Sequence, residues 1–424
     1  MSPLKQFSLF AIGILSCVIQ SPICAQFPPG TNVDESKVPA YTLPDPLLMS
    51  NGNRVKNVTE WNSLQRPYIY HLFEENVYGK YPLQPVNIHF KIRESSSNAL
   101  NGTATRKQVR IYLHPTDTTV FTDLLIYLPN TVKTRVPIFL SLNFNGNQTV
   151  NKDPAIFPSQ NGVTQINGVV KPLDSIRGTD PNWQIEEVIA RGYGIATAHY
   201  GDFEPDNKDG WKTGIRTSLK AVLKIQPDEW AAIGAWAWGI SRIMDYLQQD
   251  PAIDSKKVAL MGHSRLGKAS LWTGASDPRF AIIISNESGE GGAALSKRWY
   301  GETVKKINDQ FPHWFVAAYK KYNDNENALP VDQHMLLALI APRPLYVASA
   351  EGDQWSDPKG EFLSAVNAGK VYALFGKKGL GTDTMPPVNH PVGNTIRYHI
   401  RSGGHAVTLY DWQQYLQFAD TQWK

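Results

Sequence analysis

The chain has 424 residues, of which 42% are hydrophobic, and this is enough apolar material for a large buried core. Its 42 Lys and Arg residues exceed its 38 Asp and Glu residues by only four, and no basic run occurs, so we expect neither a nucleic-acid partner nor a membrane surface. The two cysteines, Cys17 and Cys24, both lie in the N-terminal leader, which excludes disulfides and thiolate metal sites from the remaining chain.

Residues 1–25 have the pattern of a secretory signal peptide. Lys5 precedes an apolar stretch over residues 7–19, and small residues within 21–25 offer a cleavage site. The apolar stretch is short for a membrane span, which favours a cleaved leader over an anchor. We therefore predict a secreted or periplasmic protein in which residues 26–424 form a single catalytic domain.

Apolar runs predict the strands. Three alternating or apolar runs near the start indicate an antiparallel opening to a sheet, and they cover residues 86–93, 108–113 and 121–128. Six later runs alternate with helical stretches, which is typical of a mainly parallel sheet covered on both sides. These predicted strands cover residues 136–142, 194–199, 258–261, 281–285, 345–349 and 395–400.

One helix stands out, over residues 228–249, where apolar side chains recur at alternating three- and four-residue steps. The stretches 143–182 and 365–394 are rich in Gly, Asn, Pro and Thr, and they predict long surface loops. No internal repeat or low-complexity linker divides the chain. The pattern favours an α/β fold in three layers.

The sequence Gly262-His263-Ser264-Arg265-Leu266-Gly267-Lys268 directly follows a predicted strand. In α/β-hydrolases a nucleophilic serine lies on a tight turn between a strand and a helix, with glycines close by. Here the second glycine comes three residues after the serine, one later than usual. The alternative is that Ser264 only caps the helix that follows.

A serine nucleophile needs a base, and His405 has the best setting among the ten histidines. It follows the last predicted strand in a glycine-rich loop, where α/β-hydrolases place their histidine. His399 lies within that strand and is expected to be a packed or solvent-facing side chain. His263 is expected to support the turn.

Two carboxylates could orient the base. Asp353 follows the predicted strand at 345–349, and Glu287 follows the strand at 281–285. Two acids beside one histidine would titrate as a coupled group. The alternative for either acid is a structural role, in which the carboxylate accepts a hydrogen bond from a nearby loop N–H. The backbone N–H of Arg265 and a donor from the loop at 143–147 are the candidates for binding an oxyanion.

The second half of the chain resembles carbohydrate esterase family 15, the glucuronoyl esterases, and its bacterial members in particular. The family pattern Gly-x-Ser-Arg-x-Gly-Lys matches from Gly262 to Lys268. The resemblance continues through four further blocks, at residues 285–292, 298–302, 351–357 and 403–405.

The resemblance implies roles for single residues. It favours Glu287 as the acid, with Asp353 as a second or shared one, and it implies an oxyanion-binding role for the Arg265 guanidinium. It further implies that Lys268 and Glu302 hold the hydroxyls of a uronate ring and that Trp355 lines the same pocket. Two neighbours, Arg298 and Trp299, are expected to flank that cleft.

The resemblance implies an α/β-hydrolase that cleaves esters of glucuronic or 4-O-methylglucuronic acid. These include the esters between glucuronoxylan and lignin alcohols. Ser264 would be the nucleophile, and His405 and Glu287 its base and acid. We expect no cofactor, no metal ion and a monomer. The alternatives are a less selective carboxylesterase, such as an acetyl xylan esterase, and a non-catalytic carbohydrate-binding protein on the same fold.

Overall fold

A ten-stranded mixed sheet forms the centre of the unit comprising residues 32–424. The computed structural model of the protein describes residues 27–159, 163–166 and 169–423. Residues 1–31 group as a separate unit, of which only 27–31 are described. The predicted signal peptide therefore lies outside the described residues.

Five consecutive parallel pairings make up the middle of the sheet, and antiparallel strands complete both sides. The sheet order is β1-β2-β3-β7-β4-β8-β9-β10-β12-β11, parallel from β7 to β12, while β5 and β6 form a separate hairpin. The predictions of an antiparallel opening and a mainly parallel sheet are confirmed. The strands are β1 (His89–Ala99), β2 (Ala104–Tyr112), β3 (Phe121–Pro129), β4 (Val136–Asn143), β5 (Val163–Ile166), β6 (Val169–Pro172), β7 (Gly194–His199), β8 (Ile253–His263), β9 (Ile282–Asn286), β10 (Leu345–Ala350), β11 (Val392–Gly393) and β12 (Ile396–Arg401).

Helices connect the parallel strands, and the predicted amphipathic helix is present as α6, a few residues shorter at each end. No helix among the described residues combines the length and the apolar character that crossing a membrane requires. The helices are α1 (Val58–Glu60), α2 (Arg66–Phe73), α3 (Ile185–Ala190), α4 (Ile215–Ser218), α5 (Lys220–Leu223), α6 (Ala232–Leu247), α7 (Arg265–Ser276), α8 (Val304–Gln310), α9 (Gln333–Ala338), α10 (Pro358–Leu374) and α11 (Leu409–Trp423).

The sheet separates two apolar cores. Along β4, Ile138 and Leu140 enter one core, and Phe139 between them enters the other, because successive side chains of a strand point to opposite faces. Helices α6, α7 and α10 cover the first core, and α3 and α11 cover the second. This three-layer α/β-hydrolase sandwich confirms the predicted fold.

The prediction of a loop over residues 365–394 is wrong in its first third, because α10 continues to Leu374. Asp357 caps the start of this helix by accepting a hydrogen bond from the N–H of Gly360 at 2.9 Å. Ala365 and Ala368 are fully buried along its inner face. Tertiary packing of small residues here outweighs a composition that is typical of loops.

The stretch 143–182 is also less exposed than predicted. Asn143, Gln148 and Thr149 are buried, and the amide of Asn143 donates to Asn147 Oδ1 at 2.8 Å. These polar side chains can be buried because they satisfy one another's hydrogen bonds. The start of this segment is therefore part of the packed body below the site.

Replacing a fully buried tryptophan of the second core should destabilise the fold strongly. Trp412 is 0% exposed, and its indole N–H donates to the carbonyl of Asn182 at 2.8 Å. We expect Trp412→Ala to lower the free energy of unfolding by about 3–5 kcal/mol, because it leaves a cavity and an unpaired carbonyl. Guanidinium denaturation followed by circular dichroism measures this. Leu83, which is 76% exposed, offers a control: Leu83→Ala should change stability by less than about 0.5 kcal/mol.

Candidate active site

Ser264 lies on a sharp turn between β8 and α7. Its backbone is left-handed, with φ 57° and ψ −129°, a conformation that is costly for any residue other than glycine. A side chain on Gly262 would bring a Cβ within 2.1 Å of the Leu266 carbonyl oxygen, and one on Gly267 would meet the Ser288 Cβ at 2.9 Å. The turn therefore needs both glycines, and the extra residue before Gly267 does not prevent it from forming.

The neighbouring strand fixes this turn from one side. The N–H of Ser264 donates to the backbone carbonyl of Asn286 at 2.9 Å, and the side chain of Asn286 lies 2.6 Å from Nδ1 of His263. Burial first, and then the nearby charge of His405, lower the pKa of His263 to about 3, so His263 is neutral at physiological pH. The arrangement agrees with a supporting role for His263.

His405 lies directly above the turn, with its ring 4.4 Å from that of His263. Its Nδ1 is 2.7 Å from Asp353 Oδ2 and 3.2 Å from Glu287 Oε2. Both carboxylates are buried, whereas the His405 side chain is 41% exposed, so a ligand can reach the ring. The structure brings the predicted base and both predicted acids together, and the Asp353 contact is the shorter one.

These three groups shift one another's pKa values. Burial alone would lower the pKa of His405, but hydrogen bonds to Asp353 and Glu287 outweigh it and raise the pKa above its ordinary value. Burial raises the pKa of Glu287 to about 7 in spite of its cationic neighbours. For Asp353 burial acts in the same direction, but the hydrogen bond and charge of His405 prevail and hold its pKa below the ordinary value.

The same trio is the one place, among the described residues, where three metal-ligating side chains converge. One ligand atom from each of Glu287, Asp353 and His405 lies within 4.8 Å of the others. A divalent cation could bind such a set. The direct contacts from both carboxylates to Nδ1 already account for the convergence, and they leave Nε2 as the ring nitrogen available for proton transfer.

His399, the competing histidine, is fully buried in β12. Its Nε2 lies 2.9 Å from Asp411 Oδ1, and its Nδ1 lies 2.8 Å from the Tyr346 hydroxyl. Both ring nitrogens are used inside the protein. The expectation that His399 is a packed side chain agrees with this placement.

Arg265 is held beside the serine by an acid that the sequence reasoning missed. Its guanidinium forms a short ion pair with Asp206, and the same carboxylate lies 2.7 Å from both His313 Nε2 and the Trp314 indole nitrogen. The Tyr200 hydroxyl adds a fourth contact to Asp206, at 3.0 Å. As the first residue of α7, Arg265 also has a backbone N–H without an acceptor inside the helix.

Aromatic rings surround the Arg265 guanidinium. Its carbon lies 4.8 Å from the centre of the Trp314 ring, 5.5 Å from Phe311 and 5.8 Å from Phe144. Phe144 belongs to the loop after β4 that was expected to supply a second oxyanion donor. Within that loop the N–H groups of Gly146 and Asn147 bond to side-chain oxygens of the protein, so neither is free for a substrate.

A second polar group lies on the other side of the turn. Lys268 Nζ donates to the Ser288 carbonyl at 2.5 Å and lies 3.5 Å from Glu302 Oε2. The indole N–H of Trp355 donates to the other oxygen of Glu302 at 3.1 Å. Burial raises the pKa of Glu302, while Lys268 opposes that shift. The three residues predicted to hold a sugar ring are thus one connected group.

Arg298 pairs with two acids of the protein itself. It is buried, and its guanidinium bonds to Asp357 at 2.8 Å and to Glu35 at 2.5 Å. Its ion pairs connect Glu35 with Asp357 at the start of α10, and its place beside the cleft stays a prediction. Trp299 beside it is 40% exposed.

Two further residues that the sequence reasoning missed stabilise the acid side of the site. Arg401, the last residue of β12, donates to Glu287 Oε1 at 2.5 Å. Glu361 of α10 accepts from the N–H groups of Ser288 and Gly289 at 2.8 and 3.1 Å and so holds the loop after Glu287. The available signal for both Arg401 and Asp206 was a position at or after the carboxyl end of a predicted strand, where parallel sheets place their functional residues. Asp206 follows β7.

Comparisons with known proteins agree with this geometry. A family model described as fungal glucuronyl esterase matches residues 223–376. A carbohydrate esterase of an unknown prokaryotic organism is 48% identical over 93% of this chain and 92% of its own length. The solved glucuronoyl esterase from Solibacter usitatus is 49% identical, with a TM-score of 0.86 over 92% of this chain and 100% of its own.

Another solved structure is a promiscuous esterase of carbohydrate esterase family 15 from a marine bacterial metagenome. It is 47% identical, with a TM-score of 0.86, and the match covers 92% of this chain and all of that one. These likenesses extend over nearly the whole chain, and the residues matched by the fungal family model include Ser264, Glu287 and Asp353. The chain therefore belongs to carbohydrate esterase family 15, the glucuronoyl esterases.

Proposed function

We propose that the protein hydrolyses esters of glucuronic and 4-O-methylglucuronic acid through a covalent acyl-enzyme on Ser264. The observation that carries this proposal is the position of the strained Ser264 turn. Ser264 directly follows His263, whose ring lies 4.4 Å from that of His405, and it precedes by four residues Lys268, which pairs with Glu302. The serine and His405 suit ester cleavage, and the pair of Lys268 and Glu302 suits a polyhydroxylated acid.

In the first half of the reaction, Ser264 Oγ attacks the ester carbonyl while Nε2 of His405 takes its proton. The carbonyl electrons move to oxygen, where the backbone N–H and the guanidinium of Arg265 stabilise the negative charge. As the tetrahedral species collapses, the C–O bond to the alcohol breaks, and His405 returns the proton to the departing oxygen. Water then repeats the sequence on the acyl-enzyme and releases the free uronate.

The two acids have complementary parts in this scheme. Asp353 and Glu287 together stabilise the imidazolium form of His405 and fix the ring through Nδ1. We therefore retain Glu287 as an acid and treat Asp353 as its equal partner. Their roles are those of a coupled pair.

The acid side of the substrate is the side that Lys268, Glu302 and Trp355 suit. A buried ammonium and a buried carboxylate can offer a donor and an acceptor to ring hydroxyls, and an indole offers an apolar face. A bare acetyl group has no hydroxyls with which these groups could interact. We propose that the protein is an exported monomer and that it acts on the ester links between glucuronoxylan and lignin alcohols.

A second candidate function is a broader esterase activity. The relative from the marine metagenome is described as promiscuous, and it is 47% identical to this chain. Under this alternative, the pair of Lys268 and Glu302 would not strictly select the acyl group, and esters of other acids would also be cleaved. The assays below separate the two candidates.

The nucleophile is tested by release of free glucuronic acid from benzyl glucuronate, measured beside hydrolysis of an aryl acetate. We expect the wild-type chain to release uronate and Ser264→Ala to lose the activity by at least about 10⁴-fold, because no other group forms the acyl-enzyme. Acetate hydrolysis without uronate release would favour the broader esterase. No turnover of either ester would point to a carbohydrate-binding protein.

The two acids are tested by the pH dependence of kcat/KM. Only neutral His405 can accept the Ser264 proton, and each carboxylate raises the pKa of His405. Removing one negative charge should therefore move the acidic limb of the profile to lower pH, by about one unit, in both Glu287→Gln and Asp353→Asn. An unchanged limb in both variants would contradict the proposed pair. An inactive Asp353→Ala beside an active Glu287→Ala would assign the role to Asp353 alone.

The sugar-side group is tested by Glu302→Gln, which keeps an acceptor for Trp355 but removes the charge beside Lys268. We expect KM for benzyl glucuronate to rise about tenfold, since a hydrogen bond to a charged group is lost. The rate with an aryl acetate should stay within about twofold. The matched control is Lys305→Met, which removes an exposed ion pair with Asp309 and should change neither substrate. Equal losses with both esters would contradict selective uronate binding.

A further inference from the structure

Arg401 is a buried cation placed between two buried carboxylates. Its side chain is 3% exposed, and it donates from Nη2 to Glu287 Oε1 at 2.5 Å and from Nε to Asp411 Oδ2 at 2.7 Å. Both carboxylate side chains are 0% exposed. A buried cation is tolerated in a folded protein when partners of opposite charge compensate for its lost hydration, as these two carboxylates do.

The same guanidinium also shapes the loop that carries His405. It donates to the carbonyl oxygens of Ser402, Gly404 and Ala406 at 2.9, 3.0 and 2.6 Å. In return, the N–H of Ala406 donates to Glu287 Oε2 at 3.1 Å. The loop, the acid and the arginine thus form a closed set of hydrogen bonds around the base.

The strand register explains how Arg401 reaches this place. Arg401 is aligned with Ala350, the last residue of β10, across the β10–β12 pair. Asp353 comes three residues after Ala350 in the chain. Glu287 lies one strand further on, immediately after β9. Arg401 is therefore at the same sheet edge as both acids, but behind Glu287 rather than beside the substrate.

The electrostatics of the cluster need such a cation. Glu287 faces three other acids or acidic hydroxyls, namely Asp353, Glu361 and Tyr415, and two cations, His405 and Arg401. Arg401 is the permanently charged one of the two, since a guanidinium does not titrate in proteins. Without it, the coupled group of Glu287, Asp353 and His405 would bind its first proton more tightly, because it would lose a neighbouring positive charge.

We propose that Arg401 is a positioning residue that keeps Glu287 ionised and aimed at Nδ1 of His405, and thereby sets the proton affinity of the base. This inference rests on the proposed function of His405 as the base. The Arg401 side chain is 3% exposed, so a ligand has little access to it. It acts through Glu287, and this separates it from a residue that merely ties down a loop.

The test is a pH titration of the His405 ring by NMR in protein labelled with ¹³C at histidine, with His405→Gln used to assign the signal. This readout needs no substrate, so a failure of the glucuronoyl activity and a failure of the Arg401 proposal are distinguished. Glu287, Asp353 and His405 titrate as a coupled group, and the step at highest pH reports the first proton that the group binds.

In Arg401→Met we expect that step to move to higher pH by about one unit, because the group loses a neighbouring positive charge. In Glu287→Gln the same Arg401 substitution should move the step by less than half as much, because the residue through which Arg401 acts is gone. In the active enzyme, kcat for benzyl glucuronate should fall about 10²-fold in Arg401→Met while KM changes little.

The matched control is Arg397→Met, which removes a cation from the same strand whose guanidinium contacts Gln417. It should leave the His405 titration unchanged. If Arg401→Met does not fold, as judged by circular dichroism, Arg401→Lys is used instead. A single ammonium cannot bridge Glu287 and Asp411, so the titration step should still move to higher pH, by less than the shift expected for Arg401→Met. Equal shifts in the presence and absence of Glu287, or none in either, would overturn the proposal.

Discussion

The contact of two carboxylates with one imidazole nitrogen is the constraint around which the site is arranged. Glu287 and Asp353 lie 3.2 and 2.7 Å from Nδ1 of His405, and like charges this close repel one another strongly inside a protein. The arrangement is stable because Glu287 has two other partners, Arg401 and the N–H of Ala406, and because His405 can itself carry a charge. The same balance raises the pKa of His405 above its ordinary value.

The parallel sheet explains why these groups meet. In β8, β9 and β10 the register pairs His263 with Asn286 and Asn286 with Ala348, so the next residues of each strand emerge at one edge. Ser264 and Glu287 follow directly, and both have left-handed backbones, with φ of 57° and 47°. Bending the chain sharply at these two residues brings their side chains over the sheet edge, and the strain is borne by the packed strands below.

Much of this arrangement could be predicted from the sequence, because each member of the site follows its own apolar strand and a parallel sheet collects such positions at one edge. The partners that modify the site could not. Nothing in the spacing of Asp206 and Arg265 indicates their ion pair, since the two are brought together by loops of unrelated length. The ion pairs of Arg298 could not be predicted either, because an arginine near a cleft and a buried one paired with Asp357 look alike in sequence. The length of α10 was missed because the middle of its buried face consists of small residues, Ser364, Ala365 and Ala368.

The ion pair between Arg265 and Asp206 indicates how an oxyanion would be stabilised. Burial alone would raise the pKa of Asp206, but hydrogen bonds from His313 and Trp314, together with the charge of Arg265, hold it at about 2. Asp206 is therefore ionised throughout the pH range in which His405 can work, and the pair has no net charge. Stabilisation must then come from the direction of the Arg265 N–H groups, which the surrounding aromatic rings fix before the substrate arrives, rather than from bulk positive charge. A preorganised donor of this kind acts on the charge that develops close to it in the transition state. Because the ion pair is neutral overall, it attracts the free uronate product, which is anionic, only weakly.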